Sequence, residues 1–248
     1  MDDRPLLSLI FPAYNEENRL PRAIEQSLQF LDAQPFNGEI IIVENGSQDR
    51  TYEIACEYQA RDSRVTALQS KLRGKGIAVK KGMLAARGDY RMFLDVDLSM
   101  PIEDVSKFIP PLLEADVDIA IASRESEDAH RIGEPQYRHI MGRIFNSLIR
   151  LMILPQYQDS QCGFKCFRAL VAEDLFPLQT ISGWAFDSEI LFIANLRKYK
   201  VQEIGINWYF DTDSRVRVVQ DTLQMMKDTL KIRRNHRAGY YRRSSQID

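Results

Sequence analysis

Two segments, Leu6-Leu7-Ser8-Leu9-Ile10-Phe11 and Glu39-Ile40-Ile41-Ile42-Val43, are short, almost unbroken runs of apolar and β-branched residues. Neither alternates between apolar and polar positions, so neither suits a sheet with one face in water. Continuous runs of this length belong to parallel strands buried on both faces. Each run is followed by a polar turn and then by helical spacing: Ala23, Ile24, Ser27, Leu28 and Leu31 after the first, and Ile54, Ala55 and Tyr58 after the second. Ser47 and Asp49 are candidate caps for the second helix. A third helix is expected over 77–87, ended by Gly88. Strands follow at 90–94 and 118–122, separated by a helix expected over about 102–115. This alternation predicts an α/β fold with a mostly parallel, doubly wound sheet flanked by helices.

The second half is less regular. Helices are expected over about 135–152, 184–199 and 218–235, with a strand-like stretch over 201–209. No stretch has a linker composition and no internal repeat is evident. We therefore expect a single domain over 1–248, with a nucleotide-type half (about 1–125), a variable half (about 126–217) and a basic C-terminal helix and tail (218–248).

Composition narrows the function. With 33 basic and 35 acidic residues the net charge is -2, which disfavours a bulk polyanion binder, so no nucleic-acid partner is expected. Three cysteines are too few for a disulfide scaffold. Cys162 and Cys166 have no histidines nearby to complete a zinc site, so reduced thiols in a cytoplasmic setting are expected. No apolar run reaches the length of a membrane span, and the acidic N-terminus is unlike a secretory signal.

Asp95-Val96-Asp97 follows the apolar strand 90–94. Spacing alone carries little weight, because the chain's 20 aspartates form three D-x-D triplets, at 95/97, 116/118 and 211/213. Context separates them. The first stands at the carboxyl end of a strand, where open α/β sheets bind ligands. The second precedes a strand, and the third reads as a loop; solvated turn carboxylates account for both. Two adjacent carboxylates repel unless a cation joins them. Mg²⁺ or Mn²⁺ suits the arrangement, taking one or two carboxylates and completing its shell with diphosphate oxygens. The chain has no G-x-S-x-G, H-E-x-x-H, P-loop or G-x-G-x-x-G.

Seven segments in order resemble the inverting nucleotide-sugar glycosyltransferases of family 2, with the GT-A fold. They are Phe11-Pro12-Ala13-Tyr14-Asn15-Glu16, Val43 to Thr51, Arg73-Gly74-Lys75-Gly76, Asp95-Val96-Asp97, Ala122-Ser123-Arg124, Asp159 to Lys165, and Gly183-Trp184-Ala185-Phe186-Asp187. The likeness is greatest to the dolichyl-phosphate β-glucosyltransferases and related polyprenyl-phosphate enzymes. It implies that Pro12, Ala13, Tyr14 and Glu16 hold the base and ribose, supported by Glu44 and Asp49. It implies that Lys75 faces the diphosphate or base, that Asp95, Val96 and Asp97 contact the donor with Asp95 and Asp97 as metal ligands, and that Arg215 lies on a loop closing over the diphosphate. Ser99 stands where mannosyl relatives carry a further metal ligand, a role for which its neutral hydroxyl is weak.

On the acceptor side the resemblance implies Arg124 and Arg138 as cations gripping a phosphate, with Arg131 a rival for the second role. Gln161, Lys165 and Trp184 are expected to shape the acceptor groove. A lipid monophosphate acceptor is already largely ionised at neutral pH and needs no strong base; a hydroxyl acceptor needs one, and Asp187 is then the candidate. The expected reaction is transfer of a hexose, glucose from UDP-glucose, to a polyprenyl or dolichyl phosphate. A hydroxyl acceptor, a non-catalytic nucleotide-binding module and a phosphatase using Asp95 are the alternatives. A membrane surface is a further expected partner. The apolar stretch 144–154 would give a prenyl tail a resting place, and Lys227, Lys231, Arg233, Arg234, Arg237, Arg242 and Arg243 would draw the C-terminal end to an anionic leaflet from the cytoplasmic side.

Overall fold

A computed structural model describes residues 4–211 and 218–242. The two apolar runs become neighbouring parallel strands, β1 (Leu7–Ala13) and β2 (Gly38–Glu44), in register from Leu7↔Gly38 to Ala13↔Glu44. Between them α1 (Leu20–Asp32) turns its buried stripe of Leu20, Ala23, Ile24, Ser27, Phe30 and Leu31 to the sheet. The helix α2 (Thr51–Arg61) leads to β3 (Val65–Gln69), a strand not apparent in the sequence because only Val65 in it is buried. Then come α3 (Lys75–Ala85), β4 (Tyr90–Phe93) and β5 (Ile119–Ser123).

The helix expected over 102–115 is instead a 3₁₀ segment over Ile102–Phe108. Pro110 and Pro111 explain the early stop: neither has an N–H to donate, and each disfavours helical backbone in the residue before it.

Next are β6 (His130–Ile132), α4 (Gln136–Met152), β7 (Lys165–Arg168) and α5 (Ala169–Leu175). The chain ends through α6 (Phe186–Arg197), β8 (Val201–Gly205), β9 (Asn207–Tyr209) and α7 (Val218–Arg237). The strand-like stretch 201–209 is therefore two strands in two sheets, since Ile206 intervenes and β9 pairs with β6.

The main sheet has seven strands in the order β3-β2-β1-β4-β7-β5-β8, all parallel except β7, which runs antiparallel to both β4 and β5. From β1 the connections run outward to β2 and β3, then return to β4 on the other side. The carboxyl ends of β1 and β4 thus flank a topological switch point, where such sheets leave a crevice for ligands. One face buries Leu9, Phe11, Ile40, Ile42 and Met92 beneath α1 and the 3₁₀ segment. The other buries Ile10, Ile41, Phe93 and Phe167 beneath α3, α5 and α6.

Phe93 anchors the second core directly behind the D-x-D loop. It is almost fully buried, with ring centroids 6.1 Å from Phe167 and 5.5 Å from Phe186. Replacing Phe93 by Ala is expected to cost about 3–5 kcal/mol in urea unfolding, and Phe93→Leu markedly less; equal losses would mean that the ring contacts, not the volume filled, hold this core.

Candidate functional site

Three loops meet at the switch point. The first follows β1. Pro12 and Ala13 end the strand, and the backbone at Asn15 turns left-handed (φ 52°), a conformation asparagine tolerates better than most residues. The N–H of Asn15 donates to Ser47 Oγ at 3.0 Å, its side-chain oxygen accepts from Gln48 N–H at 2.8 Å, and Glu16 N–H donates to Thr51 Oγ1 at 2.7 Å. These bonds tie the loop after β1 to the loop after β2. Glu44 is buried and accepts from Ser47 N–H. Asp49 accepts from Glu17 N–H and from both the N–H and hydroxyl of Thr51. Burial works against its charge, but the bonds from Thr51 outweigh it and hold the carboxyl below its ordinary range. Ser47 therefore crosslinks loops, and Asp49 alone serves the start of α2.

Glu16 is paired with Arg19 through two bonds of 2.7 and 2.8 Å, and Arg19 reaches Asp211 Oδ2 at 2.6 Å. The reading of Asp211 as a solvated turn carboxylate is corrected here: it is ion-paired with Arg19 and so ties the segment after β9 to the start of α1. The 116/118 pair does lie at the surface, Asp116 paired with Lys200 at 2.7 Å. Tyr14 lies under the guanidinium of Arg73, 4.2 Å from its ring.

The second loop follows β4. Asp95 and Asp97 flank buried Val96, whose side chain faces the core, so any donor contact at Val96 falls to its backbone. Leu98 is left-handed (φ 47°), an uncommon state for a bulky residue and one that recurs where local strain serves a site. The turn is fixed by Leu98 N–H to Asp95 O (3.2 Å) and Ser99 N–H to Asp97 Oδ1 (2.9 Å). Ser99 is buried and its carbonyl accepts from Tyr209 N–H at 2.8 Å. Burial first, and then the charge of Asp95, push the Asp97 carboxyl above its ordinary range.

The third element is the start of α3. Lys75 Nζ lies 2.5 Å from Asp95 Oδ1 and 5.2 Å from the Trp184 ring. Burial opposes its charge, but Asp95 more than compensates, with Asp187 and Asp97 adding to the effect, and the ammonium is held above its ordinary value. The flanking glycines are steric requirements. Gly74 has φ 148°, and a Cβ there would overlap Ser182 O; a Cβ at Gly76 would lie 2.7 Å from that of Phe186.

The acceptor-side residues divide. Arg124 grips Asp159 through Nε (2.7 Å) and Nη2 (3.0 Å), while its N–H donates to the same carboxylate. Asp159 is fully buried and also accepts from Asn146. Burial disfavours its charge, yet the adjacent guanidinium holds the carboxyl well below the usual range. Among the described residues Arg124 Nη1 makes no hydrogen bond, and the guanidinium lies 5.4 Å from the Trp208 ring. Arg131 is neutralised by Glu125 and Glu134. Arg138 lies in α4, but its side chain, like Arg215, falls outside what is described.

Lys165 is fully buried, its ammonium 2.5 Å from Cys162 O and 3.1 Å from Asp187 Oδ2. Lys165, expected to shape the acceptor groove, lies behind Asp187 and supports it. Gln161 Nε2 donates to Ser188 Oγ (2.5 Å) and Asp187 Oδ1 (3.2 Å). Trp184 is partly exposed beside Lys75.

The sequence alone gives no part to Gly163, where a Cβ would overlap Asp95 Oδ2, nor to Asn15 and Asp159 individually. All three stand within the matched segments, and a glycine beside the buried Cys162 was the available signal. The three cysteines are free, and burial pushes the Cys162 thiol up to about 12.

Residues 8–176 match the family described as "Glycosyl transferase family 2". The chain is a family 2 glycosyltransferase. It is 32% identical over 253 residues to a dolichyl-phosphate beta-glucosyltransferase of Dictyostelium discoideum, covering 97% of this chain and 77% of that one. It is 35% identical to the Drosophila melanogaster protein of that name (99% and 80% covered) and 32% identical to the human one (95% and 77%). Glucosyl-3-phosphoglycerate synthase of Mycobacterium tuberculosis, solved with Mn²⁺ and UDP-glucose, superposes with a TM-score of 0.65 at 18% identity, covering 91% of this chain and 78% of that one. That likeness establishes this glycosyltransferase's fold as GT-A.

Breaking the buried Arg124–Asp159 pair with Asp159→Asn is expected to cost this glycosyltransferase about 3–5 kcal/mol at neutral pH. Because the folded-state carboxyl titrates below its unfolded value near 4, the pair's contribution is complete above that pH and is lost as pH falls through the lower folded value. The gap between urea titrations of wild type and variant should therefore begin to narrow only below about pH 4 and keep narrowing as pH falls further; a constant gap would show that charge is not the cause.

Proposed function

We propose that this glycosyltransferase moves glucose from UDP-glucose to dolichyl phosphate or a kindred polyprenyl phosphate, with inversion. The observation that carries the reading is the convergence of Lys75, Asp95, Asp97 and Asp187 at the switch point, in a chain resembling the dolichyl-phosphate beta-glucosyltransferases over nearly its whole length.

The residues present fit a divalent cation. Among the described residues no cluster of three or more potential ligands occurs, so Asp95 and Asp97 supply two carboxylates and the donor's diphosphate oxygens must complete the shell, the usual arrangement for Mg²⁺ or Mn²⁺. Burial first, and then the charge of Asp95, raise the Asp97 carboxyl, and a cation beside the two would favour its ionised form. When bound, the metal would neutralise charge developing on the departing diphosphate.

The chain's own groups do the rest. Tyr14, Glu16, Glu44 and Asp49 shape the crosslinked loops in which base and ribose would lie. Lys75, held cationic between two glycines, would approach the diphosphate as a second counter-charge. On the acceptor side Arg124, fixed by Asp159, offers Nη1 to a phosphate, and Arg138 and Arg215 are proposed to join it.

Asp187 bears on the acceptor. Its two carboxylate oxygens already accept bonds from Lys165, Gln161 and Ser188 N–H, which suits a fixed charge that orients Gln161 and sustains Lys75 better than a group accepting protons. A phosphate nucleophile, ionised above its second pKa near 6, needs no base. No helix among the described residues is long and apolar enough to cross a membrane, and we place the enzyme's working position at the cytoplasmic face of a membrane, in peripheral contact.

Transfer from radiolabelled UDP-glucose should require the lipid phosphate, cease with EDTA, return with Mn²⁺, and fall at least 10²-fold in Asp95→Asn or Asp97→Asn. Product formed equally on a soluble alcohol would overturn the acceptor assignment. Asp187→Asn, verified as folded by its melting transition, should lose less than about tenfold with a phosphate acceptor; a loss of 10²-fold or more would mark Asp187 as the base of a hydroxyl-directed reaction.

A further inference from the structure

The carboxyl ends of α6 and α7 meet around a cavity apart from the donor and acceptor crevice, lined in part by Arg237 and Arg242 of the basic C-terminal stretch. Its lining is Leu196, Arg197, His236, Arg237, Tyr241 and Arg242. Four of these six side chains carry or can accept positive charge, and none is acidic. Arg197 stands ten residues beyond Asp187, about 15 Å along α6 at the helical rise, so the cavity lies at the end of that helix remote from the crevice.

The cavity is preformed. Tyr241 is buried, and its hydroxyl donates to Glu189 Oε1 at 2.6 Å. Glu189, itself fully buried, also accepts from Thr180 and Ile181. Phe192 packs edge-on to both Tyr241 and His236, with centroids 6.2 and 5.4 Å apart. The residues that form one wall are therefore held by core contacts.

The charges are incompletely compensated. The Arg197 side chain is only 9% exposed and is ion-paired with Asp174, its Nε 3.4 Å from Oδ2. Among the described residues neither Arg237 nor Arg242 forms an ion pair, and both are exposed at the rim. The weak negative ends of two helices draw cations to this place, but a helix end asks for one or two basic groups on its surface, whereas here a nearly buried arginine and two exposed ones converge with a histidine on one concavity.

We propose that this cavity is a phosphate-binding site, accepting the phosphate group of an anionic lipid headgroup or of a soluble phosphate compound. Arginine's planar fork matches phosphate oxygens in bidentate fashion. The site stands on the cavity alone and does not depend on which sugar or acceptor the enzyme uses.

The chain has three histidines, His130, His139 and His236, so the ring signals of histidine-labelled protein are readily assigned with a His236→Asn variant. Titration with inorganic phosphate at constant ionic strength should shift the His236 signals saturably, and the double variant Arg237→Ala/Arg242→Ala should weaken the response at least tenfold. Failure of His236 to shift, or an equal shift in the double variant, overturns the site. Sedimentation with phosphatidylcholine vesicles, with and without phosphatidic acid, then identifies the source. Binding that needs phosphatidic acid and is lost in the double variant assigns the site to a headgroup; saturable phosphate binding without vesicle binding assigns it to a soluble ligand.

Discussion

The repulsion between Asp95 and Asp97 is the constraint around which the crevice is built. A carboxylate pair at the end of a buried strand is unfavourable unless positive charge is brought to it. The chain brings Lys75, and the approach determines much else. Lysine at the start of α3 reaches Asp95 only because Gly74 and Gly76 let the helix press against Ser182 and Phe186, and Asp95 occupies its position only because Gly163 has no side chain. Three glycines in two separate segments thus serve one ion pair. The same cation that steadies Asp95 is the counter-charge proposed above for the donor's diphosphate.

The antiparallel β7 is the topological counterpart of this arrangement. Parallel strands deliver only the residues that follow them to the carboxyl edge. A strand running the other way delivers those that precede it. With Lys165 opposite Phe93 and Ile121, the segment 159–164 is carried to the same edge as Asp95 and Arg124. One reversed strand therefore supplies the clamp for Arg124, the clearance for Asp95 and the support for Asp187, while remaining buried between β4 and β5.

Much of this was legible beforehand, for identifiable reasons. β1 and β2 are written as unbroken apolar runs, and α1 as a clear helical stripe. β7 was not legible, because Lys165 and Arg168 bracket only Cys166 and Phe167; a buried lysine looks polar in sequence even though its ammonium is fully satisfied in the fold. β3 was hidden by half-exposed side chains, and the helix after the D-x-D loop was overextended because apolar Ile109, Leu112 and Leu113 continue the pattern past the prolines that end it. In the site, the residues with distinctive chemistry, Lys75, Asp95, Asp97 and Asp187, could be named from sequence and are brought together. Residues that act through clearance or through another side chain, Gly163, Asn15 and Asp159, could not be given a task until their neighbours were known.

The two buried ion pairs sharpen the point. Arg124–Asp159 and Lys165–Asp187 both arise from the segment that β7 brings to the edge. Pairs of this kind seldom add net stability, since the desolvation of two charges consumes most of their attraction, and apolar side chains of similar volume would often do as well. Their presence is better understood through direction than through strength. A bidentate arginine–carboxylate pair fixes the guanidinium plane and leaves one nitrogen aimed in a defined direction, and a lysine behind a carboxylate fixes which of its oxygens remains for Gln161. An apolar core could hold the sheet together at this edge, but it could not hold a charge at a chosen angle, and the crevice needs its charges held that way.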